Sequence, residues 1–163
     1  MGKWYHDGTD SELSDRSGRV AGMAHTRDHR TVSIERTSNG RFTITNARNG
    51  HVTIGTGDDA DFTPTELFLG ALGACTALDV DILTSRRAEP EAFRVEVEAD
   101  KVRDDIGNHL TDIMVIFKIL FPEGKEGDVA RAILPDAVEK SHDRLCTVGR
   151  TVESGAQIAT RID

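Results

Sequence analysis

The sequence predicts an α+β domain in which antiparallel sheets wrap around central buried helices. Three observations predict it. Residues 30–55 alternate apolar and polar side chains in three short runs, with Asn39-Gly40 and Asn49-Gly50 between them. An almost unbroken apolar stretch then runs from Thr63 to Leu83, and a second pair of alternating runs leads into a helical C-terminal part. Alternation at period two marks strands with one buried face, Asn-Gly between such runs marks a hairpin, and strands grouped apart from helices point to α+β rather than to a parallel sheet.

Each element follows from its residues. Residues 1–24 form a polar arm carrying Trp4 and Tyr5, without a period of two or 3.6. Alone such a segment stays unfolded, and an ordered arm needs a holder such as a neighbouring subunit. Residues 25–163 read as a single domain. Thr31–Arg36, Arg41–Thr45 and His51–Gly55 form an antiparallel meander, followed by a flexible acidic loop, Gly55–Asp61. Thr63, Pro64 and Glu66 carry helix-start chemistry: a capping hydroxyl, a proline suited to the first position and an acid that closes a capping box. The rod from Thr63 to Leu83 is roughly 30 Å long. Its apolar residues surround nearly the whole circumference before Asp79 and Asp81, the pattern of a helix buried on all sides. Those acids argue against a membrane span. Gly70, Gly73, Ala74 and Ala77 allow close approach by another element, and Arg86, Arg87 and Pro90 close the helix.

Phe93–Ala99 and Ile113–Phe121 form a second hairpin through Asp104–Asn108. Gly127-Asp128 opens another helix, which Pro135 is expected to break or kink. It leads through His142 to Cys146, a further turn of helix over Thr147–Thr151 and a last strand around Gln157–Ile162.

Composition narrows the function. With 163 residues and a net charge of −8, the chain suits neither nucleic acid nor an anionic membrane, both of which reward a basic surface. A polar N-terminus without an apolar signal core points to a cytoplasmic protein. There, two cysteines are reactive, metal-binding or buried rather than a permanent disulfide. His25 and His29 have a spacing that can bind metal but lack third and fourth ligands, so no metal site is expected. The glycines follow no phosphate-binding spacing, and no cofactor is expected.

Thr63-Pro64-Thr65-Glu66-Leu67, Leu72-Gly73-Ala74-Cys75 and Cys146-Thr147-Val148-Gly149-Arg150 resemble the motifs of the OsmC/Ohr family, the osmotically inducible and organic hydroperoxide resistance proteins. The resemblance covers residues 30–162. It implies an intertwined homodimer with two central helices back to back and thiol sites at the subunit interface. It further implies a thiol-dependent peroxidase that reduces organic hydroperoxides or hydrogen peroxide, with Cys75 attacking, Cys146 resolving and a dithiol reductant closing the cycle.

Such chemistry needs a thiolate beside a cation, because a free thiol of pKa about 8.5 is only a few per cent ionised at neutral pH. Active members of the family supply an arginine from the early strands, a role matched by Arg36, then by Arg41 and Arg30. They also carry a glutamate directly after the motif proline. Here that place holds Thr65, and Glu66 comes one residue later, a rotation of about 100° around the helix. Glu66 is therefore either a partner of the arginine or only the capping-box acid. The proline that commonly follows the second cysteine is Thr147. Phe68, Leu72 and Arg150 are the candidate substrate contacts, with Arg150 alternatively pairing with Asp79 or Asp81 across the subunit interface. An unpaired Asp79 one turn from Cys75 would raise the thiol pKa, and His142 is spaced to pair with Cys146. The alternative function is a non-catalytic small-molecule-binding protein whose cysteines simply pack.

Overall fold

A computed structural model describes residues 28–162, so the arm 1–24, with Trp4 and Tyr5, and His25 lie outside the described residues. The chain divides into two compact units, one ending at Thr31 and the other beginning at Val32. The described part of the first holds an ion pair between Arg30 and Asp28. The second carries every helix and strand named below.

Its first three strands, β1 (Val32–Ser38), β2 (Arg41–Asn46) and β3 (His51–Ile54), form the expected antiparallel meander in the order β1-β2-β3. The register stacks Ile34, Ile44 and Val52 across the sheet, and Arg36, Phe42 and Ile54 beside them. The two Asn-Gly turns use different residues for the left-handed backbone. Gly40 adopts φ 71° in the first, and Asn49 adopts φ 64° in the second. In the second turn the Asn46 carboxamide accepts from the Arg48 and Gly50 N–H groups at 2.8 and 3.0 Å, an Asx device that fixes the reversal. The acidic loop beyond β3 is tied back to the sheet. Gly55 N–H donates to the Phe62 carbonyl at 3.0 Å, and Arg41 pairs with Asp59 and Asp61.

Helix α1 (Pro64–Thr84) starts as expected: Glu66 N–H donates to Thr63 Oγ1 at 3.2 Å, and Thr63 N–H donates to Glu66 Oε2 at 2.8 Å. By length and composition alone it is long and apolar enough to cross a membrane, a property that core helices share. Within the chain its face Leu72, Gly73, Thr76, Val80 and Thr84 is buried. Among the described residues, burial on all sides is not provided. Leu78 and Ile82, one turn apart on the other face, are 64% and 51% exposed, because the elements packed on α1 cover one stripe only. Of the small residues, Gly73 does what was expected. A Cβ there would lie 2.6 Å from Val97 Cγ2, while Gly70 faces open space.

Strands β4 (Ala92–Asp104) and β5 (Gly107–Leu120) form a two-stranded antiparallel hairpin. Val97 pairs with Val115, and Phe93 meets Phe117 edge-to-face at 6.4 Å. Helix α2 (Lys125–Lys140) begins two residues before Gly127 and seats Ala130 against Ala88 and Phe121. Pro135 does not break it. The helix runs on to Lys140 and then widens into a π-helical turn, Ser141–Leu145, whose Cys146 N–H reaches back to the Ser141 carbonyl at 2.9 Å. Cys146 then caps the short helix α3 (Thr147–Glu153). The expected strand at Gln157–Ile162 is absent: these residues are irregular and exposed. A strand needs a neighbouring edge to bond to, and neither sheet of the described residues includes this segment.

Candidate functional site: a paired thiol site beside an apolar cavity

The two cysteines meet where α1 passes the start of α3. Cys75 is on α1, followed directly by the buried Thr76. The π-turn shifts the chain so that Cys146, only 2% exposed, points its sulfur back at α1. Cys146 Sγ accepts from Gly149 N–H at 3.2 Å and lies 3.5 Å from Thr76 Oγ1. Glycine at 149 allows this close approach, since a Cβ there would stand 3.3 Å from the sulfur and 3.6 Å from Leu72 Cδ1.

The Cys75 thiol is held by the same turn. Burial pushes its pKa up, and the neighbouring Cys146 side chain adds to this, while the N–H groups of Val148 and Thr147 pull it down. Both cysteines are free thiols. Two adjacent thiols of this kind can interconvert between dithiol and disulfide. The expectation of a lowered Cys75 pKa is not met among the described residues, because the influences on it are burial, Cys146 and backbone N–H groups, and none is a cation.

Among the three candidate cations, Arg41 is committed to Asp59 and Asp61 and Arg30 to Asp28. Arg36 stands on the exposed strand β1 opposite Phe42. Glu66 serves the capping box, and its bonds to Thr63 hold its carboxyl below the usual carboxylate range. Phe68 lines an apolar cleft of about 570 Å³ against the first sheet rather than the thiols. Leu72 does belong to the thiol site, through its contact with Gly149. Arg150 bonds Glu153 at 2.7 Å within the chain. Asp79 accepts from the buried Ser141 hydroxyl at 2.8 Å, so its carboxylate is partnered. The nitrogen of His142 faces Glu153 at 3.4 Å rather than Cys146.

A cavity of about 370 Å³ opens beside Cys146, between α1, β5 and the C-terminal helices. Ile113, Val115, Phe117, Val138 and Leu72 make apolar walls, and Thr76, His142 and Glu153 supply the polar atoms. Sequence reading missed Thr76, Glu153 and the β5 wall. The period-two pattern of Ile113, Val115 and Phe117 was visible, but it names only a buried face and not what lies above it. Among the described residues no group of three or more His, Cys, Asp or Glu side chains gathers as a metal site.

The family model described as OsmC-like protein matches residues 55–161. No curated protein matches the chain. Among solved structures, an OsmC-like protein of unknown function from Vibrio cholerae superposes with a TM-score of 0.65 at 13% identity, covering 78% of this chain and 95% of that one. A hypothetical protein from Aquifex aeolicus does so with a TM-score of 0.62 at 22% identity, covering 78% and 89%. An organic hydroperoxide resistance protein from Elizabethkingia anophelis gives a TM-score of 0.52 at 13% identity, covering 77% and 91%. These likenesses establish a shared fold.

Proposed function

The chain belongs to the OsmC-like protein family, and on that premise we propose that it is a thiol-dependent peroxidase acting on organic hydroperoxides or hydrogen peroxide. The observation that carries this reading is the meeting of Cys75 with Cys146. The name of the hydroperoxide resistance protein that shares the fold supports the substrate class.

In the proposed cycle the Cys75 thiolate attacks the outer peroxide oxygen. The O–O bond breaks, the leaving oxygen takes a proton as alcohol or water, and Cys75 becomes a sulfenic acid. The Cys146 sulfur then attacks the Cys75 sulfur, the S–S bond forms, and the hydroxyl leaves as water. A dithiol reductant of unassigned identity returns both thiols. Attack needs Cys75 ionised, which its surroundings in the single chain oppose. We assign the missing cation to Arg36, carried to the site by a second copy of the chain in a homodimer. A cytoplasmic setting, where thiols stay reduced, suits two free cysteines.

The test is peroxide consumption at the expense of dithiol by the wild type, Cys75→Ser and Cys146→Ser proteins. Cys75→Ser should abolish turnover. Cys146→Ser should leave Cys75 trapped as sulfenic or sulfinic acid, and the oxidised wild type should show the 75–146 bridge by non-reducing peptide mass spectrometry. Wild-type protein that stays folded and consumes no peroxide would sink the reading. The apolar cavity of about 370 Å³ beside Cys146 favours one alternative, a non-catalytic protein that holds an apolar small molecule; that reading predicts equal ligand binding by wild type and Cys75→Ser.

A further inference from the structure

Thr76 is buried, and its hydroxyl sits between two acceptors: the Leu72 carbonyl at 3.1 Å and the Cys146 sulfur at 3.5 Å. A hydroxyl has one proton to donate, so it can serve only one of them at a time. We propose that Thr76 is the positioning residue of Cys146: its hydroxyl donates to Leu72 while Cys146 is a thiol and turns to the sulfur when Cys146 ionises, stabilising the thiolate.

The chemistry of the two acceptors drives the change. Leu72 O already receives a main-chain bond as part of α1, so losing the hydroxyl leaves no orphaned acceptor. A neutral thiol is a weak acceptor, and its S–H can instead donate to the threonine oxygen. A thiolate is a charged acceptor and binds a donor about twice as strongly as a neutral one. The burial of both partners strengthens the bond further. With Gly149 N–H at 3.2 Å, the thiolate then has two donors. Only the hydroxyl proton rotates, and no heavy atom moves.

Among the described residues, the other ionisable groups around Cys146 are few. Cys75 touches it from α1. His142 and Glu153 stand in the cavity wall, 3.4 Å apart at their nearest polar atoms, and Arg150 is held by Glu153. Asp79 is taken by Ser141. β5 and α2 contribute Ile113, Val115 and Val138, which do not titrate. Thr76 is thus the side-chain hydroxyl placed to stabilise charge on this sulfur.

The consequence for reaction deepens the peroxidase proposal and rests on it for the resolving role of Cys146. A Cys146 thiolate attacks the Cys75 sulfenic sulfur, the S–S bond forms, the S–O bond breaks, and the leaving hydroxide takes up the proton that Cys146 released on ionising and departs as water. The hydroperoxide is the oxidant throughout. Thr76, next to one cysteine in sequence and bonded to the other in space, readies the second thiol for that attack.

Ionisation is measured without peroxide, by ultraviolet thiolate absorbance against pH in the Cys75→Ser protein, where Cys146 is the remaining cysteine. Adding Thr76→Val should raise the Cys146 midpoint by about one pKa unit, the size expected for losing a bond to a charged group. Adding Thr76→Ser, which keeps the hydroxyl, should leave it near the parent value. In proteins retaining both cysteines, Thr76→Val should slow the 75–146 bridge about tenfold at neutral pH and Thr76→Ser should not. If Thr76→Val misfolds, Thr76→Ala removes the hydroxyl without adding atoms. An unchanged midpoint, or a serine variant that behaves like the valine one, overturns the proposal. A shifted midpoint with no peroxide turnover overturns only the peroxidase reading.

Discussion

A single thiol changes character with its neighbours, and Cys75 shows how. Burial and the adjacent Cys146 push its pKa up, while the Val148 and Thr147 N–H groups pull down. With the pKa raised, the neutral thiol is the favoured form in the fold, and thiolate accumulates only as pH climbs beyond the ordinary thiol range. A peroxidase working near neutrality therefore needs an added cation. Arg36, exposed on β1, is our assignment. In a Cys146→Ser background, Arg36→Met should slow alkylation of Cys75 by about tenfold at mildly acidic pH, one pKa unit of lost charge contact. The rate should converge with the parent as pH rises past the raised midpoint and both proteins become thiolate. Equal rates at all pH values would remove Arg36 from the site.

At the scale of elements, α1 owes its position to its start and to one glycine. Thr63, Pro64 and Glu66 make the capping box, and all three were legible because capping is chemistry between residues three apart. Gly73 sets how near the helix lies to β4. Since a Cβ would stand 2.6 Å from Val97 Cγ2, Gly73→Ala should destabilise the fold by about 1–3 kcal/mol through overpacking, despite alanine's better helix propensity. Gly70→Ala, with open space around it, is the control and should not destabilise. Denaturant unfolding of the two variants checks this. A Gly73→Ala protein as stable as the wild type would show that Val97 repacks freely. The helix that follows taught a different lesson. Pro135 sits inside α2 without ending it, and the backbone departs from α-helical form only at Ser141–Leu145. That π-turn is what rotates Cys146 toward α1, and no residue type announces it.

For the whole molecule, the apolar face of α1 left open in one chain is the strongest demand for a partner. Leu78 and Ile82 lie 64% and 51% exposed on that face, and a soluble chain that leaves a large apolar patch open invites association. We propose that a second copy covers it, making an obligate homodimer. Sedimentation at micromolar concentration should give a dimer for the wild type. Leu78→Asp should shift it to monomer with a loss of stability, because a charge would be buried in the interface. A stable wild-type monomer would refute the homodimer and, with it, the route by which Arg36 reaches Cys75.

Much of this protein was written locally. The hairpins of both sheets, the N-cap of α1 and the helical C-terminal part follow from periodicity and turn residues, since they depend on neighbours a few positions away. The pairing of Cys75 with Cys146 is what the family resemblance of their two motifs implies. What only the tertiary structure decided depends on residues far apart in the chain. It brought Thr76 to the Cys146 sulfur, turned His142 to Glu153 and Ser141 to Asp79, and left residues 157–162 irregular. Side-chain type limits which bonds a residue can make. Which bond it does make is settled by packing, because in a buried site the nearest donor or acceptor excludes the others.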